Sequence, residues 1–252
     1  MQLADPYLLR LYVTTQASLF FCLLFSIALA AFSRKPLRIF SLLAFNCTVH
    51  LLLDALQVKW GNGVHFFAPF SWQAINYGIL WPEHFSSYLV AAFAFIYLLL
   101  RARTIISQGL DVTIPSKTRT SVATLSLLLY LAFPLILMSQ LEESNSNHFW
   151  TLRHKENRAG KYVELDRAYY SKKDDKITIF SKESFTLTGN TPEKSGIVSL
   201  KGEFIAPYVI KSNMFHMHTG YRNYASYIGL FLSLIIWGYL LFIKKREGLT
   251  TE

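Results

Sequence analysis

His50 and Asp54 stand four residues apart in the run His50-Leu-Leu-Leu-Asp54-Ala-Leu-Gln57, near the end of an apolar stretch long enough to cross a bilayer. On a helix, residues four apart have Cβ atoms roughly 5–6 Å from each other, so one imidazole and one carboxylate can share a ligand or a hydrogen bond. Three chemistries are open to them. They can be two ligands of a divalent metal such as zinc, which lowers the pKa of a bound water for attack on an ester or phosphoester. Asp54 can instead orient His50 as a metal-free general base or proton carrier. Or the pair can be a structural hydrogen bond between helices. Ionisable side chains inside an apolar span are costly, and their default reading is a functional site.

On a helix at about 100° per residue, Asn46, His50, Asp54 and Gln57 fall within about 80° of one another, and this polar stripe must face protein or water. Directly after it comes Lys59-Trp-Gly-Asn-Gly-Val-His65-Phe-Phe-Ala-Pro69-Phe-Ser-Trp72. Gly61 and Gly63 suit a tight turn with positive φ. Trp60, Phe66, Phe67, Phe70, Trp72, Tyr77 and Trp81 suit the head-group level of a membrane, as an anchor or as a way in for an amphiphilic substrate. On that reading Asn46, Gln57, Trp60 and Trp72 contact substrate.

The elements that must position this stretch are mainly helices in lipid. The chain has 252 residues, 52% hydrophobic and only 16% charged, which points to an integral membrane protein. Many of the Lys and Arg residues behind its net charge of +9 sit beside apolar segments, where they orient helices, so nucleic acid is not an expected partner. About five transmembrane helices are expected, near residues 17–33, 37–56, 85–100, 121–138 and 224–242. Pro134 should kink the fourth or mark its end. Cys22 and Cys47 both fall in apolar segments and read as small hydrophobes rather than a disulfide. Arg34, Lys35 and Arg38, then Arg101 to Arg119, then Lys244 to Arg246 mark alternate connections as cytoplasmic. In a bacterium this describes a multi-pass inner (plasma) membrane protein with the N-terminus outside and the C-terminus cytoplasmic.

Residues 139–223 change character. Alternating stretches such as Lys161–Tyr170, Lys176–Phe180, Phe185–Gly189, Gly196–Ile205 and Tyr208–Ile210 read as short strands. About five of them suggest a small all-β, OB-like barrel outside the cytoplasm, inserted between helices 4 and 5. The expected domains are therefore 1–138 (helices 1–4 with the HxxxD segment), 139–223 (the extracytoplasmic β domain) and 224–252 (helix 5 and a basic tail).

The stretch from Val49 to Trp72, with His50-x-x-x-Asp54, a glycine-containing turn and an apolar pair leading through Ala68 into Pro69-Phe70, resembles the YdjM-like family of membrane-bound metal-dependent hydrolases. The resemblance implies a divalent-metal hydrolase site at a membrane surface, with His50 and Asp54 on the family's HxxxD positions. It also implies an upstream His-Arg-Gly-x-Thr-His-Ser segment; the comparable place here reads Tyr12-Val-Thr-Thr-Gln-Ala-Ser18, so Tyr12 and Ala17 occupy the two histidine positions.

Asp5, His65, His84, His216 and His218 are the candidates to complete such a site. His216-Met-His218 is the best of them, because alternate residues of a strand share a face. Glu83 lies beside His84, and Arg222 could meet a lipid phosphate. The expected function is metal-dependent hydrolysis of an ester or phosphoester in an amphiphilic, lipid-linked substrate at the outer face. The alternative is a noncatalytic membrane subunit of the same fold whose β domain docks a partner protein or glycan.

Overall fold

The computed structural model describes residues 5–108, 112–220, 224 and 227–239. In chain order the helices are α1 (Pro6–Gln16), α2 (Leu19–Ala30), α3 (Pro36–Leu56), α4 (Phe85–Gln108), α5 (Lys117–Ser144), the single turn α6 (Thr151–Arg153) and α7 (Tyr227–Tyr239). The strands are β1 (Tyr162–Ser171), β2 (Lys176–Thr178), β3 (Ser184–Gly189), β4 (Gly196–Ala206) and β5 (Val209–Met217). Two compact units result. One holds Met1–Trp81 and Pro115–His218; the other holds Pro82–Ile114 and Thr219–Glu252, including α4 and α7.

Among the described residues two helices, α3 and α5, are long and apolar enough to cross a membrane, and a third crossing is counted only if α1 and α2 form one broken span. The expected first span differs most from what is found. The chain bends by 73° between α1 and α2, and α2 alone has 12 residues, a rise of about 18 Å that falls short of a ~30 Å hydrocarbon core. Neither Gly nor Pro marks the break. It is fixed from outside, because the first N–H of α2, at Leu19, donates to the Phe66 carbonyl at 3.4 Å. The apolar segments Phe85–Arg101 of α4 and Tyr227–Tyr239 are shorter.

α3 and α5 run in the same sense. At their first residues Arg119 donates to the Ser33 carbonyl at 3.3 Å, which brings two of the basic connections to one end. At the other end α3 enters the glycine turn and α5 enters the β domain. Both carry exposed apolar side chains, among them Phe45, Leu53, Leu125, Leu128 and Ile136, a surface compatible with lipid. α5 extends through Pro134 to Ser144, six residues beyond the expected end, so the β domain begins later than residue 139.

Pro134 has no N–H to give the carbonyl four residues earlier, at Tyr130. Gln16 Nε2 donates to that carbonyl at 3.1 Å, and the Tyr12 hydroxyl donates to the next one, at Leu131, at 2.9 Å. Gln16 also donates to the Tyr12 hydroxyl at 2.9 Å. Tyr12, one of the two histidine positions in the resemblance, is thus committed to holding α1 against α5.

The strands close into a barrel in the order β1-β2-β3-β5-β4, with β3 parallel to β5 and every other pair antiparallel. Its core is Val163, Leu165, Tyr170, Ile177, Phe185, Leu187, Val198, Leu200, Phe204 and Ile210 with their neighbours. Strict alternation would send Arg167 inward after Leu165. A bulge between Leu165 and Ala168 inserts one residue, with Arg167 at φ 52°, and keeps Leu165 and Ala168 both inside.

One end of the barrel is closed by Arg158, which has no exposed surface. Its guanidinium forks onto Glu183 through two 2.8 Å bonds and donates to the carbonyls of Leu152, Thr151 (3.3 Å) and Pro207 (3.3 Å). Tyr7 of α1 reaches the same carboxylate with its hydroxyl at 3.3 Å and accepts from Ser181 at 3.2 Å. Burial alone would raise the Glu183 pKa, but Arg158, Lys155 and Tyr7 outweigh it and hold the carboxyl below the ordinary 4.5. Tyr7, Leu11 and Thr15, spaced four apart, are the buried face of α1, and Leu11 packs on Leu141 and Phe149.

Two outcomes follow from these contacts. Glu183→Gln leaves the buried guanidinium uncompensated and should destabilise the protein by about 3–5 kcal/mol. Because the Glu183 pKa is depressed by folding, its contribution is complete above the ordinary value of 4.5 and is lost as pH falls through the folded value; the variant should therefore lose that part of the acid dependence in denaturation followed against pH. Gln16→Ala should cost about 1–3 kcal/mol by leaving the Tyr130 carbonyl unpaired. The same change made on a Pro134→Ala background should cost far less, since the helix then bonds its own carbonyl. Equal costs in both backgrounds, measured by denaturation in mixed micelles, would remove Pro134 from the account.

Candidate functional site

A cleft of about 490 Å³ opens between α1, α2, α3, α5 and the glycine turn, lined among others by Arg10, His50, Asp54, Lys59, Asn62 and His65. The HxxxD pair is there, but its partners are not those expected. His50 Nε2 lies 4.0 Å from Asp54 Oδ2, beyond hydrogen-bond reach, and its side chain is 72% exposed. Lys59 Nζ sits 2.9 Å from the same oxygen and claims it as an ion pair. Among the described residues no third His, Cys, Asp or Glu gathers with His50 and Asp54. The donor set thus does not fit the divalent metal that the resemblance implies, and no step is routed through one.

His65 joins the cleft instead. It is 2% exposed, and its Nδ1 is 2.8 Å from the Trp72 carbonyl. A carbonyl only accepts, so Nδ1 carries the proton and Nε2 the lone pair. Burial lowers the pKa from 6.5, with the Trp72 carbonyl in partial opposition, so the ring is neutral at pH 7. Nε2 is buried and has no hydrogen-bond partner. A buried orphan acceptor in a cleft demands an explanation, and a ligand's donor or a water supplies one.

The other expected site residues lie apart from this cleft. Asp5 caps α1, accepting from the Tyr7 N–H at 2.9 Å. Asn46 is exposed on α3 and does not line the cleft. Gln57 leaves the polar stripe altogether, because α3 ends at Leu56 and Gln57 is extended, in a bridge with Leu80. Trp72 donates from Nε1 to Gln140 at 3.0 Å. Glu83 and His84 belong to the second unit, where His84 Nδ1 meets Ser86 Oγ at 3.0 Å beside the start of α4. Arg222 lies outside the described residues. His216 and His218 share one side of the end of β5, with ring centroids 5.0 Å apart.

The glycine turn is a docking element. Gly61, at φ +68°, donates its N–H to Glu164 Oε2 at 2.7 Å. A Cβ there would sit 2.5 Å from the Glu164 carbonyl oxygen and 2.7 Å from His148 Nδ1. Gly63 is also obligatory, since its Cβ would meet that of Ala74 at 2.7 Å. His148, wholly buried, donates from Nδ1 to the Glu164 carbonyl at 2.7 Å, and burial draws its pKa down to about 4. Glu164 further accepts from the Tyr162 hydroxyl at 2.8 Å and pairs with Lys201 at 3.1 Å. Trp60 is buried under Lys201, 5.2 Å above its ring, and edge-on to Trp81 at 5.1 Å. It is therefore a barrel contact rather than a substrate contact, whereas Phe67, Phe70 and Tyr77 stay exposed.

Comparison with protein-family models, with curated proteins and with solved structures gave no match. The residues themselves are what bears on function. Lys59, Arg10 and the burial of His65 are the parts of the cleft that sequence reasoning missed. A lysine five residues after Asp54, across a helix end, was the one signal available for the first.

Gly61→Ala should undock the turn. The left-handed conformation alone costs about 1–2 kcal/mol, and the contact with the Glu164 carbonyl adds to it. Acrylamide quenching of Trp60 should rise in the variant while the barrel's far-ultraviolet circular dichroism is kept.

Proposed function

We propose that this is a multi-pass membrane protein whose cleft receives the polar head of an amphiphilic ester or phosphoester and hydrolyses it in a metal-independent way. The observation that carries the reading is His65, a neutral imidazole with an orphan buried acceptor, lining one cleft with His50, the Asp54–Lys59 pair and Arg10. Lys59 and Arg10 would face negative charge on the substrate. A water would attack the carbonyl carbon or phosphorus, passing its proton to His65 Nε2; the bond to the alcohol would break, and that proton would leave with the alkoxide. Positioned general bases of this kind contribute typically 10²–10⁴-fold.

In this reading the chain crosses the membrane five times, with α1 and α2 as one broken span, then α3, α4, α5 and α7. The shared basic end of α3 and α5 supports placing residues 33–38 and 117–119 in the cytoplasm and the barrel outside a bacterial inner membrane. The closed strand order with a parallel β3–β5 pair supports an OB-type barrel. A second reading, a noncatalytic subunit docking a protein or glycan through the barrel, is favoured by Lys59 occupying the Asp54 carboxylate.

Dodecyl phosphate and 4-nitrophenyl laurate in dodecyl maltoside micelles separate these readings. We expect calorimetric binding of dodecyl phosphate that weakens at least 10-fold in Lys59→Met, and turnover of the ester that falls at least 100-fold in His65→Gln with binding unchanged. Lys59-dependent binding without turnover would favour the noncatalytic subunit; neither binding nor turnover would overturn the cleft as a site.

A further inference from the structure

We infer that His216 and His218 bind a divalent first-row transition metal at the end of β5, with Ser199 and Asp166 orienting His218. The site shares no residue with the cleft and does not depend on the function proposed for it. Both rings project from one side of the strand end, with centroids 5.0 Å apart and one nitrogen of each within 4.8 Å of the other. Neither backbone position is loose. His216 is in register with Ser199 on β4, and the His218 N–H donates to the Ile197 carbonyl at 2.9 Å.

The protonation of His218 follows from Ser199, which is fully buried. Its hydroxyl donates to Asp166 Oδ1 at 3.0 Å and accepts the Arg167 N–H at 3.1 Å. It has no further hydrogen to give, so the 2.7 Å contact with His218 must be a bond donated by Nε2–H. His218 is thereby held in the tautomer that carries its lone pair on Nδ1. A metal-binding imidazole characteristically gives its other N–H to a carboxylate or to a group backed by one, as the Ser199–Asp166 relay does here. Asp166 follows the inward-facing Leu165, and so stands on the outer face where the bulge begins. Trp81 lies flat on His216, with centroids 3.6 Å apart and planes 5° apart, and is edge-on to His218 at 5.6 Å. Two imidazoles select zinc, copper, nickel or cobalt over magnesium and calcium.

The test uses untagged, full-length protein in detergent, stripped with chelator and titrated with ZnCl₂, CuCl₂ or MgCl₂. We expect one zinc or copper per chain by dialysis and elemental analysis, and none of magnesium. Copper(II) electron paramagnetic resonance should show splitting from two imidazole nitrogens in the unmodified protein. The quenching of tryptophan emission by copper should largely vanish in Trp81→Phe. His216→Gln and His218→Gln should each weaken zinc binding at least 100-fold, and Ser199→Ala by about 10–100-fold with both ligands in place. Absence of stoichiometric binding, a copper spectrum without two imidazole nitrogens, or undiminished binding in the double glutamine variant would overturn the assignment.

Discussion

The Arg158–Glu183 fork is the contact on which the architecture converges. A fully buried guanidinium has few stable options, and this one gathers a strand-turn carboxylate, three backbone carbonyls and, through Glu183, the hydroxyl of Tyr7. The barrel end, the α6 turn and the first helix of the chain are thereby fastened at one point. α1 cannot lie in lipid as a continuation of α2 while its Tyr7 is a member of the barrel core. The 73° break at Ala17–Ser18 follows from that attachment and from the Phe66 carbonyl that meets α2.

A second fastening joins the same two layers from the other side. Glu164, on β1, holds Gly61, Tyr162 and Lys201 together, and Gly61 is only two residues from Lys59. The cleft charge and the barrel surface thus sit on one short, rigid turn. Lys59 satisfies Asp54 from that turn, which removes the carboxylate from a metal's reach and leaves the cleft with two cations and a neutral imidazole as its chemistry.

What could be read from the sequence is what depended on local periodicity. The apolar runs gave α3 nearly to its ends and the middle of α5, whose polar ends at Lys117 and Ser144 lie outside the run, and alternation gave all five strands, except that β5 continues past Ile210 through Lys211–Met217, where polar residues hide the pattern. The glycine turn was legible because only glycine tolerates φ +68° beside another backbone. The helix break, the end of α3 before Gln57, the Arg158–Glu183 pairing and the burial of His65 were not legible, since each is decided by a partner far along the chain. His216 and His218 were visible as a pair from strand geometry, but the relay through Ser199 and Asp166 depended on a bulge that alternation does not announce.

The docked turn also sets a depth. α3 has 21 residues, a rise of about 31 Å, close to the ~30 Å of a bilayer's hydrocarbon core. Five residues after its last turn, Gly61 is already clamped to β1. If α3 crosses a bilayer, that short connection would hold the barrel close to the head groups, at a height governed by the length of α3. A thinner or thicker bilayer would be felt as tilt of the helix and barrel together, and the cleft would keep its level relative to the barrel rather than to the lipid.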